Sequence, residues 1–451
     1  MNVTIIGTGY VGLTTGVALG FLGHKVTCVD KNPAIVEKLQ RGKVTIHEPG
    51  LDQLMQLAMP NLTFSLTIPK LKGRGVVLIA VGTPTKANGD ADLQYVDAAA
   101  KEIAACIEEG AELVVVNKST VPIGSAQHVQ GIIHRSLEAN GTRANVWVAS
   151  NPEFLAEGKA TYDTLYPDRI VIGADSSQAI NILRELYAPL LEQTFDPPSE
   201  TPRPERYTLP PLITTSTTSA ELTKYAANSF LATKISFINE FAGLAEKVGA
   251  DITQVARAIG LDTRIGGKYL HAGIGWGGSC FGKDTKAIMA TASGYDYEMP
   301  IVEAAIEVNK RQRMHVVELL QQHLKVLRGT TIGLLGLAFK GNTDDLRDAP
   351  ALTLIEHLHE RGAVIRVHDP IATESAKRLY PNLPVEYCED APCLAMNCDA
   401  VVVVTDWQDY KKLPLADMKN RMRGNLFLDA RNLLNASEVE RHGFKYVGIG
   451  K

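Results

Sequence analysis

The sequence predicts an α/β chain, with two doubly wound parallel-sheet domains joined by a helical central domain that carries a long connecting helix. Three observations predict it. Near the N-terminus short β-branched runs alternate with longer helical patterns, the rhythm of a parallel sheet covered by helices on both faces. The same rhythm returns after Thr330. Between the two, residues 219–248 keep apolar side chains at helical spacing, with neither Pro nor Gly before Gly243. A chain of 451 residues has room for about three such domains.

The elements follow in order. Residues 3–6 read as a strand, then comes a glycine turn and a helix reaching Leu22. Further strands are expected at 24–29, 75–81, 113–117 and 146–149, and their unbroken apolar runs suit a sheet buried on both faces. Leu222, Tyr225, Ala226, Phe230, Ile235, Ile238 and Phe241 mark one long helix, and helical pattern resumes at 252–259 and 301–327. Strands are expected again at 331–336, 363–367, 400–404 and 425–428. This divides the chain into 1–195, a proline-rich segment 196–218, a helical 219–328 and a second α/β part 329–451. Pro197, Pro198, Pro202, Pro204, Pro210 and Pro211 predict an exposed, extended loop, on composition a surface insertion rather than a docking segment.

Composition narrows the function. Lys and Arg number 46 against 50 Asp and Glu, a net charge of -4 that gives no support to nucleic-acid binding. No apolar run is long enough to span a bilayer, and the N-terminus lacks a secretory pattern, so no membrane role is expected. Six scattered cysteines fit a reducing cytoplasm. Cys388, Cys393 and Cys398 lack the spacing and the histidine pair of a zinc site, so no metal is expected.

Chemistry is carried by short motifs. Gly7-Thr8-Gly9-Tyr10-Val11-Gly12 follows a strand and opens a helix. Gly7 permits the tight turn, Gly9 the approach of a pyrophosphate, and Gly12 close helix–strand packing. Asp30 ends the second strand, placed to accept a ribose 2′-hydroxyl and to repel a 2′-phosphate, so the cofactor expected is NAD. Gly333-Leu334-Leu335-Gly336 lacks the third glycine, and a sheet without a dinucleotide is the better reading there. Cys280 stands in the glycine-rich run 273–282, which suggests close backbone approach to a ligand, with Lys283 and Asp284 supplying a cation and a base. Lys118-Ser119-Thr120-Val121-Pro122 and 151–158 follow strands, and Lys224 and Asn228 share one helix face. Each cluster alone is as well explained by a solvated face or a helix cap; their joint presence is what counts.

Taken together, GTGYVG, VGTPT (81–85), KSTVPIG, NPEFLAEG, AELTKYAANSFLATKISFINE, GGSCFGKD and GLAFKGNTDDLRDAP resemble the UDP-glucose/GDP-mannose dehydrogenase family over nearly the whole chain. The resemblance implies two Rossmann-like domains, the first binding NAD and the last the sugar nucleotide. It also implies a homodimer through the central helix. The implied activity is oxidation of a sugar-nucleotide C6 alcohol to a carboxylate with reduction of two NAD+. Cys280 would form a thiohemiacetal and then a thioester, Lys224 and Asn228 would stabilise oxyanions, and Thr120, Glu157 and Asp284 would hold water or relay protons. Gly7, Gly9, Tyr10, Val11, Gly12, Asp30, Thr83, Thr120, Glu157, Lys283 and Arg347 would contact NAD. Glu153, Phe154, Leu155, Lys224, Asn228, Tyr269, Leu270, His271, Ala272, Gly273, Gly277 and Lys340 would line the substrate site, Lys340 as counter-charge to a diphosphate.

Gly282 departs from the family's usual proline, which predicts a more mobile loop after Cys280, and the proline-rich insertion is longer than in most members. The stretch 168–173 and LAFKGNTDD resemble members acting on UDP-glucose more than those acting on GDP-mannose or UDP-N-acetylhexosamines. A two-electron hydroxyacid dehydrogenase would not need Cys280, and a non-catalytic nucleotide sensor would have no reason to keep Cys280, Lys224 and Asp284 together.

Overall fold

The computed structural model of the protein describes residues 1–86 and 88–451. The chain divides into two units, Met1–Ala227 with Lys286–Tyr295, and Asn228–Thr285 with Asp296–Lys451.

The first unit is built on eight strands: β1 (Asn2–Ile6), β2 (Lys25–Val29), β3 (Leu62–Ser65), β4 (Arg74–Ile79), β5 (Glu112–Asn117), β6 (Asn145–Ser150), β7 (Ile170–Gly173) and β8 (Leu212–Thr215). Their order is β3-β2-β1-β4-β5-β6-β7-β8. The first six are parallel, and β7 meets β6 antiparallel before β8 pairs with it in parallel. Side chains alternate between two cores: Val76, Leu78, Val114 and Val116 enter one, Val77, Ile79, Leu113 and Val115 the other.

The second unit carries β9 (Thr331–Leu335), β10 (Val364–His368), β11 (Glu386–Tyr387), β12 (Ala400–Val403), β13 (Leu426–Asp429) and β14 (Lys445–Gly448). These six are parallel in the order β11-β10-β9-β12-β13-β14. That is the 3-2-1-4-5-6 order of the first six strands as well, so both sheets have a reversal of strand order at which ligands gather.

The long helix runs Thr217–Val248, 32 residues, and crosses from the first unit into the second. In the second unit its inner face carries polar side chains that tie it to its neighbours. Ser236 Oγ donates to the Ala305 carbonyl (2.6 Å) and accepts the Trp276 indole N–H (3.0 Å), and Asn239 Oδ1 accepts from Gly273 N (2.8 Å). The opposite face exposes Phe230, Phe237, Phe241, Leu244 and Val248, a stripe with near-heptad spacing. Among the described residues no helix is long and apolar enough to cross a membrane.

The proline-rich segment differs from the exposed loop expected of it. Its last residues form β8, and Thr201 is buried with its carbonyl accepting from Tyr166 Oη (2.7 Å). Tyr207 Oη reaches the Pro167 carbonyl (2.8 Å), and the Tyr207 and Phe195 rings both pack on Tyr166. Aromatic residues flanking the prolines staple the segment down, which a count of prolines does not reveal.

A clamp holds the C-terminal residues of the second unit. Glu246 accepts from His315 Nε2 (2.8 Å) and from Gly450 N (2.8 Å). The hydrogen bond to Glu246 raises the His315 pKa against the opposing effect of burial, with Glu318 adding to the rise. A histidine whose folded pKa is raised stabilises fully below its unfolded value of about 6.5 and loses that contribution as pH climbs through the folded value. The melting-temperature gap between wild type and His315→Gln is therefore expected to be widest below about pH 6.5 and to shrink above it. A gap that stays constant from pH 5.5 to 8.5 would count against the clamp.

Candidate active site

The glycine turn after β1 is shaped as a dinucleotide turn requires. Gly7 has φ +96°, and a Cβ there would stand 2.7 Å from the Ala80 carbonyl oxygen. A Cβ on Gly12 would lie 2.0 Å from the Gly7 carbonyl oxygen, whereas one on Gly9 would meet nothing within 4 Å. The backbone at Gly9 is thus open to a ligand at the N-terminus of the helix Tyr10–Phe21. Asp30 holds this turn through Thr8 N (3.1 Å) and Thr8 Oγ1 (2.6 Å). Thr83 Oγ1 donates to the Thr120 carbonyl (2.8 Å), and Ser119 Oγ donates to the Val81 carbonyl (2.6 Å), stitching together the loops that follow β4 and β5. The open backbone at Gly9 before a helix N-terminus, with Asp30 at the end of the neighbouring strand, fits NAD.

Beyond β6 lies a buried charged cluster. Lys224 Nζ pairs with Glu153 Oε1 at 2.9 Å, with both side chains almost wholly buried. Glu153 Oε2 accepts from Leu155 N (2.6 Å). Burial alone would raise the Glu153 carboxyl, but Lys224, the Leu155 N–H and Lys118 outweigh it and hold the carboxyl below its ordinary range. Phe154 lies under the Arg169 guanidinium, 3.8 Å from the ring centroid, and 5.6 Å from Lys224 Nζ. Leu155 and Glu157 are half-buried in the same loop.

Sequence reasoning missed several partners in this layer. Glu221, one turn before Lys224, accepts from Gly124 N (2.7 Å), Ala126 N (2.9 Å) and Ser150 Oγ (2.9 Å). Glu48 accepts from Gly158 N and Ala160 N (2.8 and 2.6 Å). Lys118, which the sequence did single out, donates to Asn151 Oδ1 (2.9 Å), and burial, aided by Lys224 and opposed by Glu153, brings its ammonium down to about 8. The signal available was Glu221 on the polar face of the helix; Glu48 had none.

In the second unit Cys280 is half-buried and immediately precedes the helix Phe281–Ser293. Its carbonyl accepts from Asp284 N (2.8 Å), and its Sγ lies 3.4 Å from Ser279 Oγ. Asp284 is 1% exposed: Asn228 Nδ2 donates to Oδ2 (2.6 Å) and Lys283 Nζ to Oδ1 (2.6 Å). The structure thus brings Asn228, Lys283 and Asp284 together beside the turn that presents Cys280. The surrounding glycines also answer to close approach within the protein. A Cβ on Gly275 would strike Asn309 Oδ1 (2.4 Å), on Gly277 the Asp348 carbonyl (2.2 Å), and on Gly278 the Phe339 ring (2.7 Å). The protein's own backbone and side chains make that close approach. Gly282 lies in the first turn of the helix rather than in a loop.

Tyr269 adopts φ +65°. Leu270, His271 and Ala272 border a cavity of about 420 Å³ together with Arg257, Arg431 and Asn432. Arg431, which the sequence did not single out, donates to the carbonyls of Val404 (2.7 Å), Phe339 (2.8 Å) and Gly275 (3.2 Å). Gly273 is held between Asn239 and Gln312. Lys340 Nζ lies 5.4 Å from the Phe339 ring centroid, and Arg347 forks onto Asp345 (2.7–3.0 Å). At the end of β10, Asp369 holds the place that Asp30 holds in the first sheet. Its oxygens are taken by Leu337 N, Ala338 N, Ile371 N, Ala372 N and Trp407 Nε1, at 2.7–3.1 Å. A carboxylate so saturated is committed to its own turn, in keeping with a second sheet without a dinucleotide.

Comparison with known proteins covers most of the chain. Residues 1–191 match the NAD binding domain of the UDP-glucose/GDP-mannose dehydrogenase family, 218–311 its central domain and 333–436 its UDP binding domain. The UDP-glucose 6-dehydrogenase of Rhizobium meliloti is 43% identical, over 100% of both chains. A UDP-glucose dehydrogenase structure from Pyrobaculum islandicum superposes with TM-score 0.85 at 38% identity, covering 100% of this chain and 97% of that one. A UDP-D-ManNAc dehydrogenase structure from Pyrococcus horikoshii gives 0.82 at 26% identity, covering 100% and 99%.

The buried ion pair can be tested through stability. Glu153→Leu is expected to destabilise the protein by about 3–5 kcal/mol in chemical denaturation, because it leaves the buried Lys224 without its carboxylate. Adding Lys224→Met is expected to recover much of that loss. A Glu153→Leu protein as stable as wild type would contradict the buried pairing.

Proposed function

The chain belongs to the UDP-glucose/GDP-mannose dehydrogenase family, and from that premise we propose that it oxidises C6 of UDP-glucose from alcohol to carboxylate, giving UDP-glucuronate while two NAD+ are reduced. The observation that carries this reading is Cys280 at the mouth of a helix whose first turn holds Asp284, itself fixed by Asn228 and Lys283. A two-electron oxidation needs no such thiol.

NAD+, when bound, accepts the hydride released from C6. Gly7, Gly9, Tyr10, Val11 and Gly12 receive its pyrophosphate and Asp30 its ribose, with Thr83, Thr120, Glu157, Lys283 and Arg347 as further contacts. After the first oxidation the Cys280 thiolate adds to the C6 aldehyde, and the thiohemiacetal becomes a thioester as the second hydride leaves. Water then cleaves the thioester, freeing the carboxylate and returning the thiol. Lys224 and Asn228, one turn apart, offer N–H donors to the oxygen on C6 as it gains charge. Asp284, Thr120 and Glu157 hold the water and carry its proton. Glu153, Phe154, Leu155, Tyr269 to Gly273 and Gly277 line the sugar nucleotide, and Lys340 faces its diphosphate.

NAD belongs to residues 1–195, dimerisation to 219–328 and the sugar nucleotide to 329–451 in this reading. The exposed stripe Phe230, Phe237, Phe241, Leu244 and Val248 supports a homodimer through the long helix, since large apolar side chains in a row favour cover. The six free cysteines support a cytoplasmic setting.

With limiting UDP-glucose and excess NAD+, two NADH per sugar nucleotide are expected, and Cys280→Ala should complete no turnover. One NADH would remove the thioester step; turnover only with GDP-mannose or a UDP-N-acetylhexosamine would move the substrate within the family. Light scattering should show two chains for wild type and one for Phe237→Glu/Leu244→Glu, and an unchanged mass would send the dimer contact elsewhere.

A further inference from the structure

At the ends of β5 and β6 the first unit contains a cavity of about 10 Å³, walled by Asn117, Ser119, Thr120, Ser150, Glu221 and Lys224. Asn117 is 1% exposed, and neither its Nδ2 nor its Oδ1 has a hydrogen-bond partner among the described residues. A carboxamide stripped of water at both ends is costly, and native proteins almost always satisfy such groups. Its position is also anomalous in the strand: Val115 and Leu113, two and four residues earlier on the same face, pack into an apolar core. The polar residue appears only where the strand reaches the cavity.

Size and charge choose the occupant. The volume matches a single water. The wall holds one carboxylate, Glu221, and one ammonium, Lys224, so it favours neither an anion nor a cation. We propose that Asn117 anchors one ordered water in this cavity, and that the water, bridging toward Glu221 and Lys224, sets the position of the Lys224 ammonium. A water can accept from Nδ2, donate to Oδ1, and still offer one donor and one acceptor to the charged wall. Asn117 is then a positioning residue. Its effect on turnover rests on the role proposed above for Lys224; its anchoring of the water does not.

Two measurements test the proposal. A high-resolution crystal structure of the wild-type protein should show one water within hydrogen-bond distance of the Asn117 amide, whatever the substrate turns out to be; an empty cavity overturns the proposal. In kinetics, Asn117→Leu keeps the side chain's bulk and removes both polar atoms. Its kcat is expected to fall about tenfold, the scale of one lost hydrogen bond, with KM for NAD+ little changed. Asn117→Asp keeps a partner for the water and adds a charge beside Lys224, so it should retain most of kcat and move the alkaline limb of the pH profile upward by about one unit. An Asn117→Leu enzyme with wild-type kcat and pH profile overturns the positioning role. Should Asn117→Leu fail to fold, the Asn117→Asp profile decides, and an unshifted limb overturns it equally. If wild type oxidises no sugar nucleotide, the reaction proposed above is at fault, and the crystallographic water still decides the anchoring.

Discussion

Lys224 carries its ammonium into a place almost closed to solvent, at 3% exposure. Withdrawing an ammonium from water costs several kcal/mol even after the protein relaxes. Much of the polar layer at the carboxyl ends of β5 and β6 answers that demand. Glu153 meets the charge directly, and its loop is drawn in because Leu155 N binds the same carboxylate. One turn earlier on the helix, Glu221 plugs the N-terminus of the helix Ser125–Asn140, where unpaired N–H groups favour an anion. The start of the long helix is thereby fastened to the sheet by two carboxylates of opposite duty. One neutralises the helix's lysine, and the other belongs to the helix and neutralises a dipole.

The two sheets show how one strand order supports different work. Both run 3-2-1-4-5-6 through their parallel strands, and both turn sharply at a glycine of positive φ after the first strand, Gly7 and Gly336. The acid at the end of the neighbouring strand separates them. Asp30 accepts from Thr8 and Asn32 and is half-exposed. Asp369 is buried and spends both oxygens on five N–H groups. A carboxylate whose oxygens are all spent on its own loop has little left to offer a ligand, and hydrogen-bond saturation separates the two acids.

The parts legible in the sequence were those whose cause is local. A glycine turn between a strand and a helix, and Cys280 beside Lys283 and Asp284, require neighbours in the chain. The central strands were legible because burial on both faces demands unbroken apolar runs. Of the strands missed, β3, β8, β11 and β14 stand at sheet margins and are short and partly polar, since a margin buries less, whereas β7 is buried and apolar but only four residues long. Glu48 and Glu221 act on backbone 110 and 97 residues away, and Arg431 on backbone 156 residues away. No window of sequence contains such pairs. The protein atoms that press on the glycines around Cys280 were not legible, because a requirement for small size does not say what presses against it.

The stapled proline-rich segment bears on how these molecules avoid one another. It ends in β8, the outermost strand of an eight-stranded sheet, and an open strand margin is a template for another chain's backbone. Pro210 and Pro211, just before β8, have no N–H to offer, and the strand itself is only four residues long, half of them threonine. An intruding strand would find little to pair with. The insertion that looks like ornament in the sequence therefore gives this margin a short, proline-flanked strand, a form that works against edge-to-edge pairing.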